Sequence, residues 1–176
     1  GLGDVAASLP RALKRLGHEV ITIAPFYAQA FDREKYALEP VFSEVEVWLN
    51  DQETVKVNYW KSSLEGGVLV YFVENSKYFS RRQELYGSER ENARFLIFDV
   101  AALKLLYLLN FSPDIIHCHD WHTGLIPYYF KTDFHKLENF KNAKVIYTIH
   151  NLAFQLGHNW FEVPDDKRDD GHKALP

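Results

Sequence analysis

The chain of 176 residues contains no methionine and a single cysteine, Cys118. One cysteine excludes an internal disulfide framework and points to a reducing compartment. The missing methionine, the first position included, leads us to expect a segment whose start lies before Gly1. Positive charge is not in excess. Twenty Lys and Arg stand against 24 Asp and Glu, a net charge of −4. That balance argues against a general nucleic-acid binder, which needs basic patches. A long uninterrupted apolar run is also missing. The longest apolar stretch, Ala93 to Leu109, holds Arg94, Asp99 and Lys104, so it reads as a buried helix and not as a membrane span. With no signal-peptide pattern at the start, a cytoplasmic protein with no membrane partner is expected. Three catalytic signatures are absent as well. There is no Gly-x-Ser-x-Gly nucleophile turn, no Gly-x-x-x-x-Gly-Lys-Ser/Thr phosphate loop, and no Asp-x-Asp pair to hold a divalent ion against a diphosphate.

What is present is enough for one domain with a real core. Hydrophobic residues make up 47% of the chain, and aromatics alone 15%. Core packing accounts for most such rings, and an excess of them also suits the apolar faces of sugars. Residues 4 to 16 read as a helix capped by Asp4 or Ser8, with Val5, Leu9, Leu13 and Leu16 on one face and Gly17 as its stop. Pro10 either kinks that helix or marks its true first turn. Glu19 to Pro25 reads as a buried strand. Helix before strand implies an earlier strand upstream of Gly1, linked through a Gly1-Leu2-Gly3 loop. Residues 44 to 74 alternate apolar and polar in three runs (Val45 to Leu49, Val55 to Tyr59, Val68 to Val73) with a turn at Asn50-Asp51, the pattern of an antiparallel meander. Tyr78 to Gly87 reads as loop with Arg81 and Arg82 exposed. Ser88 to Glu91 has capping-box form before the long helix. Then come a strand at Asp114 to Cys118, a helix at about Thr123 to Phe134, a strand at Lys144 to Ile149 and an irregular polar tail. Strand and helix alternating in this way predict an α/β fold with a Rossmann-like, doubly wound parallel sheet carrying the meander as an insert.

Polar and titratable residues crowd where two of these strands end. His117-Cys118-His119-Asp120-Trp121-His122-Thr123-Gly124 closes one, and His150-Asn151-Leu152 closes the other. In open α/β sheets ligands bind in the crevice outside the carboxyl ends of the strands, so both blocks can converge on one site. Asp120 and His122 can bind hydroxyls, and Trp121 can stack on a ring. His117 and His119 share a strand face while Cys118 points away. A closed zinc site wants two separated ligand pairs, and no second cysteine exists, so no metal is expected. Gly1 and Gly3 precede a helix whose N-terminus can receive a phosphate, and Asp4 can either cap that helix or accept a sugar hydroxyl.

These residues resemble the bacterial glycogen synthase and plant starch synthase family. Gly1-Leu2-Gly3-Asp4-Val5 matches the latter part of that family's opening Lys-x-Gly-Gly-Leu-Gly/Ala-Asp-Val motif. Ser8-Leu9-Pro10, Gly17-His18-Glu19-Val20, Leu85-Tyr86-Gly87 and Arg94-Phe95 continue the likeness. The blocks from His117 to Leu125 and from Thr148 to Gln155 are its strongest part. The resemblance departs after Gln155, where Leu156 stands before Gly157, and at Arg90 to Ala93, where the family's Asp-Asn pair does not align. It implies the N-terminal, acceptor-side half of a two-domain GT-B glycosyltransferase, with residues 1–176 a partial domain and the C-terminal nucleotide-binding domain outside this chain. The implied reaction is retaining transfer of glucose from ADP-glucose to the non-reducing end of an α-1,4-glucan, without cofactor or metal, in the cytoplasm or, in a plant, the plastid. By position the resemblance makes His150 and Asp120 catalytic. It sets Gly1, Gly3, Asp4 and Asn151 on the donor and Trp121 and His122 on the acceptor. Rival readings are a glycosyltransferase for another sugar nucleotide, a non-catalytic glucan-binding module, and a dinucleotide-binding oxidoreductase. The last needs Gly-x-Gly-x-x-Gly, which Gly1 to Ala6 completes only with alanine in the final position.

Overall fold

The computed structural model describes residues 1–29, 31, 36–48, 52–80 and 91–151. The expected turn at Asn50-Asp51, the exposed Arg81 and Arg82, Ser88 to Arg90 of the expected capping box and everything from Leu152 onward lie outside the described residues. The chain divides into two compact units, residues 1–46 with 56–83 and residues 47–55 with 84–176.

The first unit opens with α1 (Leu2–Arg15). The helix starts two residues earlier than the sequence suggests, so Leu2 is not in a loop and Asp4 is not the cap. Asp4 is the third helical residue, and its exposed carboxylate accepts a hydrogen bond from the Gly1 amino group at 2.5 Å. Ser8 does not cap either, because its hydroxyl donates back to the Asp4 carbonyl at 2.7 Å. Pro10 lies inside the helix and does not begin it. Leu2, Val5, Leu9 and Leu13 are half-buried, whereas Leu16, expected on the same face, is 76% exposed beyond the last turn. The stop at Gly17 follows from its φ of +93°, a backbone region open to glycine at little cost. There the His18 N–H donates to the Leu13 carbonyl and the Gly17 N–H to the Lys14 carbonyl, the paired closure that ends many helices.

The three alternating runs form strands, the first of them beginning earlier than expected, at Glu39. Strands β1 (Ile21–Pro25), β2 (Glu39–Trp48), β3 (Thr54–Ser63) and β4 (Leu69–Glu74) make a four-stranded sheet in the order β1-β4-β3-β2. Strands β3 and β4 run antiparallel, with Trp60 opposite Phe72, and β1 runs parallel to β4. Phe26, Val70 and Phe72 form a buried cluster against which Phe31, Leu38, Trp60 and Leu64 pack. Each large apolar side chain so removed from water contributes about 1.5–3 kcal/mol. Where loop was expected after β4, Ser76–Ser80 form one wide helical turn that buries Tyr78 and Phe79. The Asn75 side-chain oxygen starts that turn by accepting the N–H groups of Lys77 and Tyr78.

The second unit is built around α2 (Glu91–Leu108), the long apolar helix. Its side chains from Ala93 to Leu106 are buried on every side apart from Lys104, which explains the absence of an amphipathic stripe. No described helix is long and apolar enough to cross a membrane. Strands β5 (Ile115–His119) and β6 (Lys144–Thr148) pair in parallel. Among the described residues the strands therefore lie in a mixed sheet and a parallel sheet, not in one parallel sheet.

The helix expected at Thr123 to Phe134 is broken. It runs as a 3₁₀ turn at Trp121–Thr123, then the single-turn α3 (Ile126–Tyr129), then a wide turn at Phe130–Phe134. Asp99 of α2 accounts for the first break. Its buried carboxylate accepts the Leu125 N–H at 2.9 Å and a hydrogen bond from the Ile126 N–H, which starts α3 there. Pro127 then lacks an N–H to offer.

Burial raises the Asp99 pKa well above the ordinary value, and the two backbone donors oppose that shift. The folded chain thus keeps a proton that the unfolded chain releases. The stability this contributes is fully present below the ordinary carboxylate pKa and is lost as pH rises through the folded value. Asp99→Asn is expected to flatten the fall in thermal midpoint above about pH 4 while still accepting the two N–H groups. Asp99→Leu should instead cost about 1–3 kcal/mol for each donor left unsatisfied. Parallel pH profiles for wild type and Asp99→Asn would disprove the assignment.

Candidate active site at the ends of two parallel strands

Register builds this site. In the β5–β6 pair, His117 stands opposite Ile146 and His119 opposite Thr148, so these four residues share one face. The other face carries Ile116, Cys118, Val145 and Tyr147. Cys118 is buried, its thiol pushed up to about 12 by burial and then by the Asp99 charge, which makes it inert as a nucleophile. Burial, followed by the charges of Asp120 and Asp99, raises the Tyr147 hydroxyl to about 12.

The ladder continues one residue past β5, where the Asp120 N–H donates to the Thr148 carbonyl at 2.9 Å. There the chain turns sharply. Asp120 has φ +59° and ψ 179°, a region used almost only by glycine and costing about 1–3 kcal/mol for other residues. Two bonds hold the turn, because the Thr123 N–H and hydroxyl both donate to the Asp120 carbonyl, at 3.0 and 3.1 Å. The strained backbone aims the buried Asp120 carboxylate across to the end of β6. Its Oδ1 accepts the His150 N–H at 2.6 Å. A charge-assisted bond of that length is among the stronger kinds available to a backbone donor.

The imidazoles form a connected row. His117 Nε2 lies 2.8 Å from Thr148 Oγ1, and His119 Nδ1 lies 3.0 Å from His150 Nε2. The His117 and His119 ring centroids are 4.1 Å apart, and those of His119 and His150 are 5.3 Å apart with the ring planes 25° from parallel, so these two rings meet edge to edge through their nitrogens. Burial lowers the pKa values of His117 and His119. The His150 charge lowers His117 further, the His117 and His150 charges lower His119, and Asp120 opposes the shift at His119. Both rings are therefore neutral at physiological pH. Among the described residues no three of His, Cys, Asp and Glu are placed to hold a metal ion.

Trp121 and His122 leave the turn in the direction of α2. Phe95 meets the indole edge-on at 4.6 Å and the His122 ring at 4.8 Å, and the two rings lie 4.3 Å apart. Burial lowers the His122 pKa to about 4, with Asp120 opposing and Arg94 adding to the shift. His122 is thus a neutral hydrogen-bonding group. Arg94 is buried, with its guanidinium 4.3 Å over the Phe95 ring.

Of the residues singled out by sequence, the structure joins Asp120 directly to His150 and sets Trp121 beside His122. Asn151 is exposed next to His150. Gly1, Gly3 and Asp4 sit exposed at the start of α1 in the first unit, where a Cβ on either glycine would meet nothing within 4 Å. Sequence reasoning missed the contact of His119 with His150 and the place of Arg94 and Phe95 beside His122. Two signals were available: the shared face of His117 and His119, and a charged residue inside an apolar helix, which needs a buried reason.

The family model described as starch synthase catalytic domain matches residues 1–173. A glycogen synthase of Streptococcus agalactiae is 35% identical over 158 residues, 88% of this chain and 32% of that protein. One from Photobacterium profundum is 39% identical over 161 residues, 88% of this chain and 31% of that protein. Among solved structures, the catalytic domain of starch synthase IV from Arabidopsis thaliana bound to ADP and acarbose superposes with a TM-score of 0.75 at 35% identity. The match covers 86% of this chain and 30% of that one. The chain thus spans roughly a third of the length of the curated relatives it matches.

Proposed function

Because the chain belongs to the starch synthase catalytic domain family, we propose that the protein carrying it is a retaining glucosyltransferase. In this reading it moves glucose from ADP-glucose to the non-reducing end of an α-1,4-glucan. The observation that carries the reading is the bond from the Asp120 carboxylate to the His150 N–H at the carboxyl ends of β5 and β6. It fixes an exposed imidazole beside a strained turn, where a sugar could be met. ADP bound to the starch synthase IV relative fits an adenine-nucleotide donor.

The full protein would be of the two-domain GT-B type. This chain would supply part of a Rossmann-like N-terminal domain, and a C-terminal nucleotide-binding domain outside it would supply the basic groups for the diphosphate. No metal or cofactor enters the proposed reaction, and the cytoplasm, or a plastid in a plant, is its proposed place.

The residues divide the work as follows. Gly1, Gly3 and Asp4 approach the donor diphosphate and sugar, where helix N–H groups favour negative charge. Asn151 lies beside the donor. Trp121 and His122 line the acceptor side, with His122 neutral and able to donate to or accept from a glucan hydroxyl. His150 meets the transferred glucose and steadies the charge that develops at it. Asp120 acts on the reacting centre through His150. In this reading retention proceeds by attack from the face the diphosphate leaves. Positioning and exclusion of water are then the main tasks.

The test is transfer of labelled glucose to glycogen by the full-length protein, with ADP-glucose and UDP-glucose side by side in the presence of EDTA. Transfer from ADP-glucose is expected, and residues 1–176 alone should give none. Absence of transfer from both donors would overturn the reading, and glycogen binding without transfer would favour a binding module.

A further inference from the structure

We propose that His119 is a positioning residue that locks the tautomer of His150. The two rings face each other nitrogen to nitrogen, His119 Nδ1 to His150 Nε2 at 3.0 Å. A hydrogen bond between two imidazoles needs one N–H and one lone pair. The pair can therefore hold one proton between these nitrogens, and two cationic rings would set N–H against N–H. With Nε2 of His150 engaged in this way, Nδ1 is the nitrogen left to a ligand. Whether Nδ1 presents a proton or a lone pair is then decided by His119.

Several features fix the geometry in place. His119 sits on the last residue of β5, in register with Thr148. The His150 backbone is tied to Asp120, so His150 cannot move away without breaking a short bond. His117 packs against the His119 ring, with centroids 4.1 Å apart, and is itself tied to the Thr148 hydroxyl at 2.8 Å. The charged and titratable groups around His119 are His117, Asp120 and His150. Burial, aided by the first and last of these, favours its neutral form, which is the form able to switch between donor and acceptor. At metal-bound histidines, residues that orient the imidazole through its second nitrogen are worth roughly 10- to 100-fold in affinity or activity, and an effect of that order is expected here.

The consequence for turnover rests on the glucosyl-transfer reading above, and the tautomer itself does not. The experiment uses the full-length protein labelled with ¹⁵N at histidine, with the His150 signals assigned by their loss in His150→Ala. Wild type should show one protonated and one unprotonated ring nitrogen for His150. In His119→Phe, which keeps a ring of similar breadth but no nitrogen, the two signals should move toward an average of both tautomers. With the donor KM little changed, kcat should fall roughly 10- to 100-fold. His119→Asn, whose side-chain amide can place a donor or acceptor near the lost Nδ1, should restore single-tautomer signals and much of the rate. Should His119→Phe not fold, His119→Ala carries the same two readouts. Unchanged His150 signals would overturn the proposal, even with a lower rate, because the loss would then be merely structural. Shifted signals with an unchanged kcat would overturn it too. A wild type that transfers no glucose would instead sink the functional reading, and the nitrogen signals would still decide the coupling.

Discussion

Asp120→Ala is expected to lower turnover by about two to three orders of magnitude, the range found when a single preorganised group at a reacting centre is lost. Asp120→Asn should recover much of it. The reasoning is geometric. The Oδ1 atom that meets the His150 N–H at 2.6 Å has a counterpart in the asparagine amide oxygen and none in alanine. A second comparison separates the carboxylate from the backbone. Asp120 holds φ +59°, so Asp120→Gly removes the carboxylate and relieves the strain, whereas Asp120→Ala removes the carboxylate and keeps the strain. The glycine variant should therefore be more stable than the alanine variant by about 1–3 kcal/mol yet no more active. The measurements are kcat, KM and thermal midpoint for the three variants. An alanine variant with more than a tenth of wild-type turnover, or a glycine variant that regains activity, would show that the carboxylate is not what places His150.

Much of this arrangement was open to sequence reasoning, and the reason is local. The apolar runs ending at Cys118 and at Ile149 stop at polar blocks, and such a boundary marks the end of a strand, here β5 and β6. The meander was legible for a similar reason, since Val45, Val47, Val55, Val57 and Tyr59 alternate with polar neighbours, the pattern of strands with one face turned to a core. The paired closure at Gly17 was legible because few other residues accept its backbone angles.

What sequence reasoning did not reach depends on particular bonds that residue types do not disclose, some between distant parts of the chain and some within a single turn. The broken segment from Trp121 to Phe134 carries helix-like spacing, and its first break is set by Asp99 on a different helix. The burial of Tyr78 and Phe79 depends on a turn started by Asn75. The start of α1 was misplaced because Asp4 and Ser8 are both good caps by type. Only the observed bonds show one joined to the Gly1 amine and the other to a carbonyl. At the site, the sequence nominated His150 and Asp120 separately. Their bond runs through a main-chain N–H and so leaves no side-chain signature. The His119 contact needed the register of β5 against β6, which a one-residue slip would have abolished.

His150→Ala separates the two ways this corner can matter. The His150 side chain is exposed, and alanine keeps the backbone N–H that Asp120 holds. The fold should therefore stay within about 0.5 kcal/mol of wild type. If the imidazole steadies charge on the transferred sugar, kcat should fall by about two to three orders of magnitude, with the KM for donor far less affected, because the interaction strengthens in the transition state. Combining this change with Asp120→Asn makes the test sharper. If Asp120 works only by placing the His150 ring, its substitution should add almost nothing once the ring is gone. Residues that act as one unit are strongly non-additive in this way. A double variant whose losses multiply would show that Asp120 also has a task of its own toward the substrate. A single His150→Ala variant of near wild-type turnover would remove the ring from the chemistry altogether and leave the corner with a purely architectural part.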